Sequence, residues 1–166
     1  DKSRQYAGRI SAEAERLQGM IEGILAYTRL EENPAALRFE EVDLSAVARE
    51  TAALLSEAFT RADIRLIARL APRATVSGDY NALRSIVQNL LENALKYSPA
   101  DTDVTLEVSA VNEDIVLRVA DRGIGIDPAE QKRVFEKFYR AGDEMTRKTR
   151  GSGLGLALVK RIADAH

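Results

Sequence analysis

The sequence has no cysteine, so it forms no disulfide and no thiolate metal site. That absence agrees with a cytosolic setting. Charge of one sign is not in excess either: 24 Lys and Arg stand against 26 Asp and Glu, for a net charge of -2. Such a balance leaves no electrostatic footprint for nucleic acid, and any anion must be held by local geometry. No apolar run approaches the roughly 20 residues that cross a bilayer. The opening Asp1-Lys2-Ser3-Arg4-Gln5 carries neither an initiator methionine nor a signal-peptide pattern. The chain therefore reads as an excised portion, with no direct membrane contact of its own and any anchor upstream. Two common phosphate-binding motifs are missing as well. There is no Gly-x4-Gly-Lys-Ser/Thr, and no glycine spacing gives Gly-x-Gly-x2-Gly, because Pro128 and Leu156 stand where the third glycine would fall.

What is present is enough for a core. The 166 residues are 45% hydrophobic, which suits one compact domain with an appendage. The first 32 residues lack proline and carry a heptad-like seam of Ala7, Ile10, Ala14, Leu17, Ile21, Ile24 and Thr28. Such a seam buries a stripe against a partner helix or against the helix's own domain. Its place at the chain end and its flanking charges (Glu13, Glu15, Arg16, Glu22, Arg29) favour a partner. Glu31-Glu32-Asn33-Pro34 stops it.

The remainder reads as helices alternating with strands. Leu37–Val42 suits a short strand, and Asp43 or Ser45 caps a helix to about Phe59. Ile64–Leu70 alternates as a strand, Thr75–Ser77 is a short one, and Asp79 caps a periodic helix that ends at Tyr97 before Ser98-Pro99. Val104, Leu106 and Val108, then Ile115, Leu117 and Val119, alternate on either side of the turn Asn112-Glu113-Asp114. The order gives an α+β fold with helices on a largely antiparallel sheet. Residues 126–150 are polar, with one short amphipathic helix around 132–138, and read as a mobile lid.

Three features carry chemistry. Asp121-Arg122-Gly123-Ile124-Gly125 directly follows a strand, and Gly151-Ser152-Gly153-Leu154-Gly155-Leu156 directly precedes a helix. Glycine admits close approach of an anion, and a helix start offers unpaired N–H groups and a positive dipole end. On the helix ending at Tyr97, Asn89, Asn93 and Lys96 fall within an arc of about 60° beside the apolar face. Amide oxygens suit Mg²⁺ and an ammonium suits phosphate. Taken singly, each glycine cluster is better read as a tight turn and the amide edge as a solvated helix face.

Together they resemble one family. Asn89-Leu90-Leu91-Glu92-Asn93-Ala94-Leu95-Lys96-Tyr97-Ser98 is similar to the asparagine box of sensor histidine kinases. Asp121-Arg122-Gly123-Ile124-Gly125-Ile126 resembles their first glycine box, Val134-Phe135-Glu136-Lys137-Phe138-Tyr139-Arg140 their phenylalanine box, and Gly151–Leu156 their second glycine box. Leu25-Ala26-Tyr27-Thr28-Arg29-Leu30-Glu31 resembles the end of the dimerisation hairpin. The resemblance implies a two-layer α/β sandwich of the Bergerat type, with a mixed, largely antiparallel sheet. It places the second hairpin helix at residues 1–33, the catalytic ATP-binding domain at 34–166 and the lid at about 126–150.

The resemblance also implies roles. Asp121 would accept from the adenine amino group, with Gly123, Gly125 and Ile126 turning close to the nucleotide. Asn93 and Asn89 would hold Mg²⁺, Lys96 and Arg140 would contact phosphate, and Tyr97 would pack by the base or ribose. Gly151, Ser152, Gly153, Leu154, Gly155 and Leu156 would present backbone to the phosphates, while Phe135 and Phe138 would anchor the lid. The implied reaction transfers the γ-phosphoryl group of ATP to a histidine on a first hairpin helix that this sequence does not contain, so the chain would not phosphorylate itself. His166 is expected to be structural. The implied partners are a second copy through the dimerisation helix and a response regulator receiver domain. The implied location is cytoplasmic, within a parent protein anchored in the membrane. The family pattern continues after Ala165-His166 with further strands, and relatives often carry asparagine at the position of Arg122.

Two other readings compete. One is a non-catalytic nucleotide-binding signalling module acting through its helix. The other is an ATP-hydrolysing relative, which would place a glutamate where Asn89 stands as general base for water.

Overall fold

The computed structural model describes residues 37–141 and 152–166, together with Tyr6, Ile21, Ile24, Leu25 and Thr28. Those five isolated residues are helical, and Tyr6, Ile21, Ile24 and Leu25 each expose 40% or more of their surface. The seam's other members, Ala7, Ile10, Ala14 and Leu17, and the stop at 31–34 lie outside the described residues.

In chain order the elements are strand β1 (Glu40–Asp43), helix α1 (Leu44–Arg61), strands β2 (Ile64–Leu70) and β3 (Thr75–Gly78), helix α2 (Tyr80–Tyr97), strands β4 (Thr102–Val111) and β5 (Asp114–Ala120), a 3₁₀ turn (Arg133–Phe135) and helix α3 (Gly155–Ala165). Strands β2, β4 and β5 form one sheet in that order, while β1 and β3 form a separate antiparallel ribbon. Strand β4 is parallel to β2 and antiparallel to β5. The parallel pairing follows from connectivity: the chain must cross back through β3 and α2 before β4 can lie beside β2. Asp103 lies opposite Arg65 in that register, and the guanidinium forks onto the carboxylate at 2.8 and 2.7 Å.

The alternation of β4 puts Val104, Leu106 and Val108 on one face, and all three are fully buried. Helices α1 and α2 cover that face, with Val47, Ala48 and Phe59 from α1 and Val87 and Leu91 from α2. Helix α3 packs on α2 through Leu158 and Ile162, which completes a two-layer sandwich. Each large apolar side chain buried here contributes about 1.5–3 kcal/mol through removal from water.

The helix starts are fixed by carboxylates. Asp43 Oδ1 accepts from the N–H groups of Ser45 and Ala74, both at 3.0 Å, which caps α1 and ties it to the approach to β3. The Ala74 bond above all holds its carboxyl below the usual carboxylate range; burial opposes it, and the Ser45 N–H adds to the lowering. Asp79 caps α2 by accepting from Ala82 N–H at 2.9 Å, and its other oxygen accepts from Arg38 N–H at 2.9 Å. Burial works against ionisation of Asp79, but the Arg38, Ala82 and Asn81 N–H groups together outweigh it and lower its pKa.

Most expected elements stand where the sequence put them, with two differences. The first strand runs from Glu40 to Asp43, not from Leu37 to Val42, because only those four residues find partners on β3. The amphipathic helix expected around 132–138 is a single 3₁₀ turn. The chain leaves it in extended conformation at Glu136 and turns through Phe138, whose φ is +62°.

Carboxylates with lowered native pKa values stabilise the fold above the pKa of the unfolded chain, near 3.9, and lose that contribution as pH falls through the lower native value. Stability measured by urea unfolding between pH 6 and pH 2 is expected to decline below about pH 4. Asp79→Asn, which keeps one oxygen acceptor, is expected to start less stable at pH 6 and decline less steeply. Parallel curves for the two proteins would show that Asp79 carries none of this dependence.

Candidate nucleotide-binding site

Helix α2 presents the candidate residues because its apolar side is fully used elsewhere. Leu83, Ile86, Val87, Leu91 and Ala94 are buried in the core. Asn89, Asn93, Lys96 and Tyr97 are left half-buried along the border. Asn89 Nδ2 donates to the Ser85 carbonyl at 2.8 Å. A carbonyl only accepts, so this bond fixes the amide orientation and turns Asn89 Oδ1 outward. The Asn93 side chain, one turn on, makes no hydrogen bond among the described residues. Lys96 Nζ donates to Tyr97 Oη at 2.9 Å and lies 4.6 Å from the centre of that ring.

Both glycine clusters close onto this helix. After β5, Asp121 Oδ1 accepts from Gly123 N–H at 2.8 Å, forming a tight turn. A Cβ at Gly123 would lie 2.7 Å from the Tyr97 carbonyl oxygen and 3.0 Å from its carbon, so the turn rests directly on the end of α2. At the second cluster, a Cβ at Gly155 would lie 2.7 Å from Asn89 Oδ1. The start of α3 therefore meets the outward amide oxygen. The two seats are eight residues apart on α2, about 12 Å along its axis.

The phenylalanine box joins the same assembly from the other side. Phe138 N–H donates to the Gly153 carbonyl at 3.0 Å. A Cβ at Gly153 would fall 2.8 Å from Phe138 C and 2.9 Å from its Cα. Gly153 has φ +73°, so it needs glycine for conformation as well as for space. Beside it, Ser152 Oγ accepts from Leu154 N–H at 3.3 Å and Leu154 is buried. Tyr139 Oη donates to Glu130 Oε1 at 2.6 Å, which holds the phenol pKa above its usual value, and the Arg133 guanidinium lies 4.2 Å from the Tyr139 ring centre.

The expected lid anchors need correction. Phe135 and Phe138 are 41% and 59% exposed, whereas Val134 is buried. Val134 fixes the segment by its side chain, and Phe138 does so by its backbone bond to Gly153. Gly125 has open space around it at φ +71°, Ile126 is exposed, and Arg140 and Leu156 are half-buried. Gly151 and the lid residues 142–150 lie outside the described residues. Among the described residues no group of three or more His, Cys, Asp or Glu side chains could hold a metal, so a cation here would take ligands of another kind. The wedge of Gly155 against Asn89 was not foreseen, because the two are 66 residues apart and only their separate motifs hint at a meeting.

Comparison with known proteins decides the family. Residues 78–166 match the family model described as histidine kinase-, DNA gyrase B-, and HSP90-like ATPase. The chain belongs to this ATPase family. It is 35% identical over 163 residues to the sensor-like histidine kinase SenX3 of Mycobacterium tuberculosis, covering 98% of this chain and 40% of that protein. It is 35% identical over 157 residues to the sensor protein kinase PmrB of Pseudomonas aeruginosa, covering 95% of this chain and 32% of that one. Among solved structures, full-length ShkA in complex with AMPPNP superposes with a TM-score of 0.81 at 29% identity, over 99% of this chain and 34% of that one. The mycobacterial sensor histidine kinase MprB gives 0.66 at 33% identity, over 78% and 80%. This ATPase-family chain is thus homologous to the ATP-binding catalytic domain of sensor histidine kinases, and spans less than half of the relatives SenX3 and PmrB.

Gly125, Gly153 and Gly155 differ in what a methyl group would displace. Gly153→Ala meets backbone at a positive φ, whereas Gly125→Ala pays only the conformational cost of about 1 kcal/mol. Thermal unfolding is expected to rank Gly153→Ala well below Gly125→Ala, with the latter lowered by about 2–4 °C. Gly155→Ala displaces only the end of the Asn89 side chain, so its melting temperature is expected to stay near wild type. Equal losses at all three positions would mean that the contacts at Gly153 and Gly155 are not as described.

Proposed function

We propose that the chain binds Mg-ATP as the catalytic domain of a two-component sensor histidine kinase, within a homodimer assembled through the helix at residues 1–33. The reading is supported above all by one arrangement: the Asp121–Gly123 turn and the Gly155 helix start both seat on helix α2, at either end of the Asn89-to-Tyr97 edge. In it, Asp121 selects adenine. Its carboxylate only accepts, its Oδ1 is engaged by Gly123 N–H, and its other oxygen remains for the exocyclic amino group. Tyr97 packs at the base or ribose, with Gly125 and Ile126 beside the nucleotide.

The phosphates lie toward α3. Ser152, Gly153, Leu154, Gly155 and Leu156 offer backbone at a helix start, where N–H groups and dipole favour an anion. Lys96 and Arg140 supply positive charge, and Gly151 opens the same glycine motif in the sequence. Mg²⁺ would supply charge neutralisation at the phosphates, and the amide oxygens of Asn93 and Asn89 would hold it. That donor set fits the lack of a carboxylate or imidazole cluster among the described residues.

Transfer proceeds by attack of a histidine nitrogen on the γ-phosphorus as its bond to the β,γ-bridging oxygen breaks and ADP leaves. The protein contributes positioning and charge stabilisation. The acceptor histidine lies on a partner helix of the hairpin, and the phosphoryl group passes on to a response regulator receiver domain. His166 is not that acceptor, because Nε2 accepts from Asp79 N–H at 3.0 Å and Nδ1 faces the Ile162 carbonyl at 2.8 Å. No helix among the described residues is long and apolar enough to cross a membrane, and the domain acts on the cytoplasmic side of a larger receptor. Hydrolysis by water is a poorer fit, since Asn89 cannot take up a proton.

Calorimetric titration with Mg-ATP tests the reading. Binding is expected, and Asp121→Asn is expected to weaken ATP at least about tenfold, which corresponds to about 1.4 kcal/mol. Equal ATP affinity in the two proteins would remove the adenine role of Asp121. Incubation of the chain with γ-labelled ATP is expected to leave no acid-labile label on it, and stable label of that kind would contradict the assignment of His166.

A further inference from the structure

The helices that meet at the nucleotide site also meet at their other ends. The Gly155 end of α3 touches Asn89 near the middle of α2, and its C-terminal cap, His166, reaches Asp79 at the start of α2. The two helices therefore run antiparallel. Gly155 and His166 are eleven residues apart and Asp79 and Asn89 ten, or about 16 and 15 Å at the helical rise. The two contacts are matched in length.

We infer that His166 is a positioning residue that sets the axial register of α3 against α2, and so sets where the second glycine cluster stands relative to Asn89. This rests on the nucleotide-binding reading above. The apolar contacts of Leu158 and Ile162 hold α3 against the core but are non-directional and give little resistance to a slide along α2. The His166 contacts are directional. Asp79 N–H can only donate, so Nε2 is the acceptor at 3.0 Å. The ring proton then sits on Nδ1 and is donated to the Ile162 carbonyl at 2.8 Å, which locks the ring to its own helix.

The ring is also confined on both flanks. Phe39 lies 4.9 Å away, centre to centre, and Gly78 leaves space where a Cβ would come within 2.8 Å of His166 Cδ2. The residue that receives the clamp is itself fixed, since Asp79 caps α2 and holds Arg38 N–H. A displacement of α3 by a fraction of an ångström at His166 passes along the helix to Gly155, where a Cβ-sized gap already separates contact from overlap with Asn89.

The consequence is selective. The adenine end of the site rests on Tyr97 and the Asp121 turn, which α3 does not hold, whereas the phosphate end is built on α3 itself. His166→Phe keeps a flat ring between Phe39 and Gly78 but removes the acceptor. It is expected to weaken Mg-ATP binding about tenfold, which corresponds to about 1.4 kcal/mol, while adenosine binding stays within about twofold of wild type. His166→Gln, which can restore an acceptor for Asp79 N–H, is expected to recover most of the Mg-ATP affinity. NMR-detected titrations of the full chain with each ligand, well below the melting temperature, read both constants. Equal weakening of both ligands, or no change in either, overturns the inference even when wild type binds normally. A wild-type chain that binds neither ligand overturns the nucleotide-binding reading as well.

Discussion

Close approach to a single helix is the constraint on which the site depends. Helix α2 carries a continuous apolar face into the core and a polar border out of it, and two backbone segments must come within side-chain contact of that border. Gly123 rests on the Tyr97 carbonyl and Gly155 rests on the Asn89 amide, each at a distance where a methyl group would not fit. A side chain at Gly123 would push the turn off the backbone of α2, whereas one at Gly155 would first displace the end of the Asn89 side chain. Gly123 is required here for the space it leaves, and among the described glycines of the two clusters only Gly125 and Gly153 have positive φ.

The lid-side segment is held by a different balance. Phe138 adopts a left-handed backbone conformation that costs a bulky residue on the order of 1–3 kcal/mol. Its ring gains little in return, being largely exposed. What offsets the cost is a backbone bond to Gly153, itself left-handed, and the buried Val134 four residues earlier. The strain sits at the junction between the segment that leaves the site and the cluster that would hold phosphate. A junction so balanced is coupled to Gly153, because neither residue can relax without losing the bond to the other.

How much of this the sequence announces depends on range. Helix α2 was legible because its signals are local: Asp79 as cap, apolar period through Leu91, and Ser98-Pro99 as stop. The same holds for β4 and β5, whose alternation flanks a turn that places Asn112 at φ +57°. The lid-side helix was overcalled because Val134, Phe135 and Phe138 have helical spacing, yet three apolar residues do not outweigh the turn needed to reach Gly153. The parallel pairing of β2 with β4 and the meetings of Asn89 with Gly155 and of Asp79 with His166 leave no local trace. The last of these joins residues 87 apart, and nothing in the neighbourhood of either names the other.

The fixed direction of the Asn89 amide bears on which chemistry the site supports. Its nitrogen is committed to the Ser85 carbonyl, so the group presents one oxygen toward α3 and has no freedom to reverse. An aspartate at this position would set a carboxylate oxygen against that carbonyl, with two acceptors facing each other and no proton between them. The position as built therefore selects an amide over a carboxylate before any ligand is considered. An amide oxygen held in this way donates electron density to a cation but takes up no proton at neutral pH. That separates a site shaped to hold and align a polyphosphate for an external nucleophile from one shaped to activate water, and the separation rests on a single intrahelical hydrogen bond.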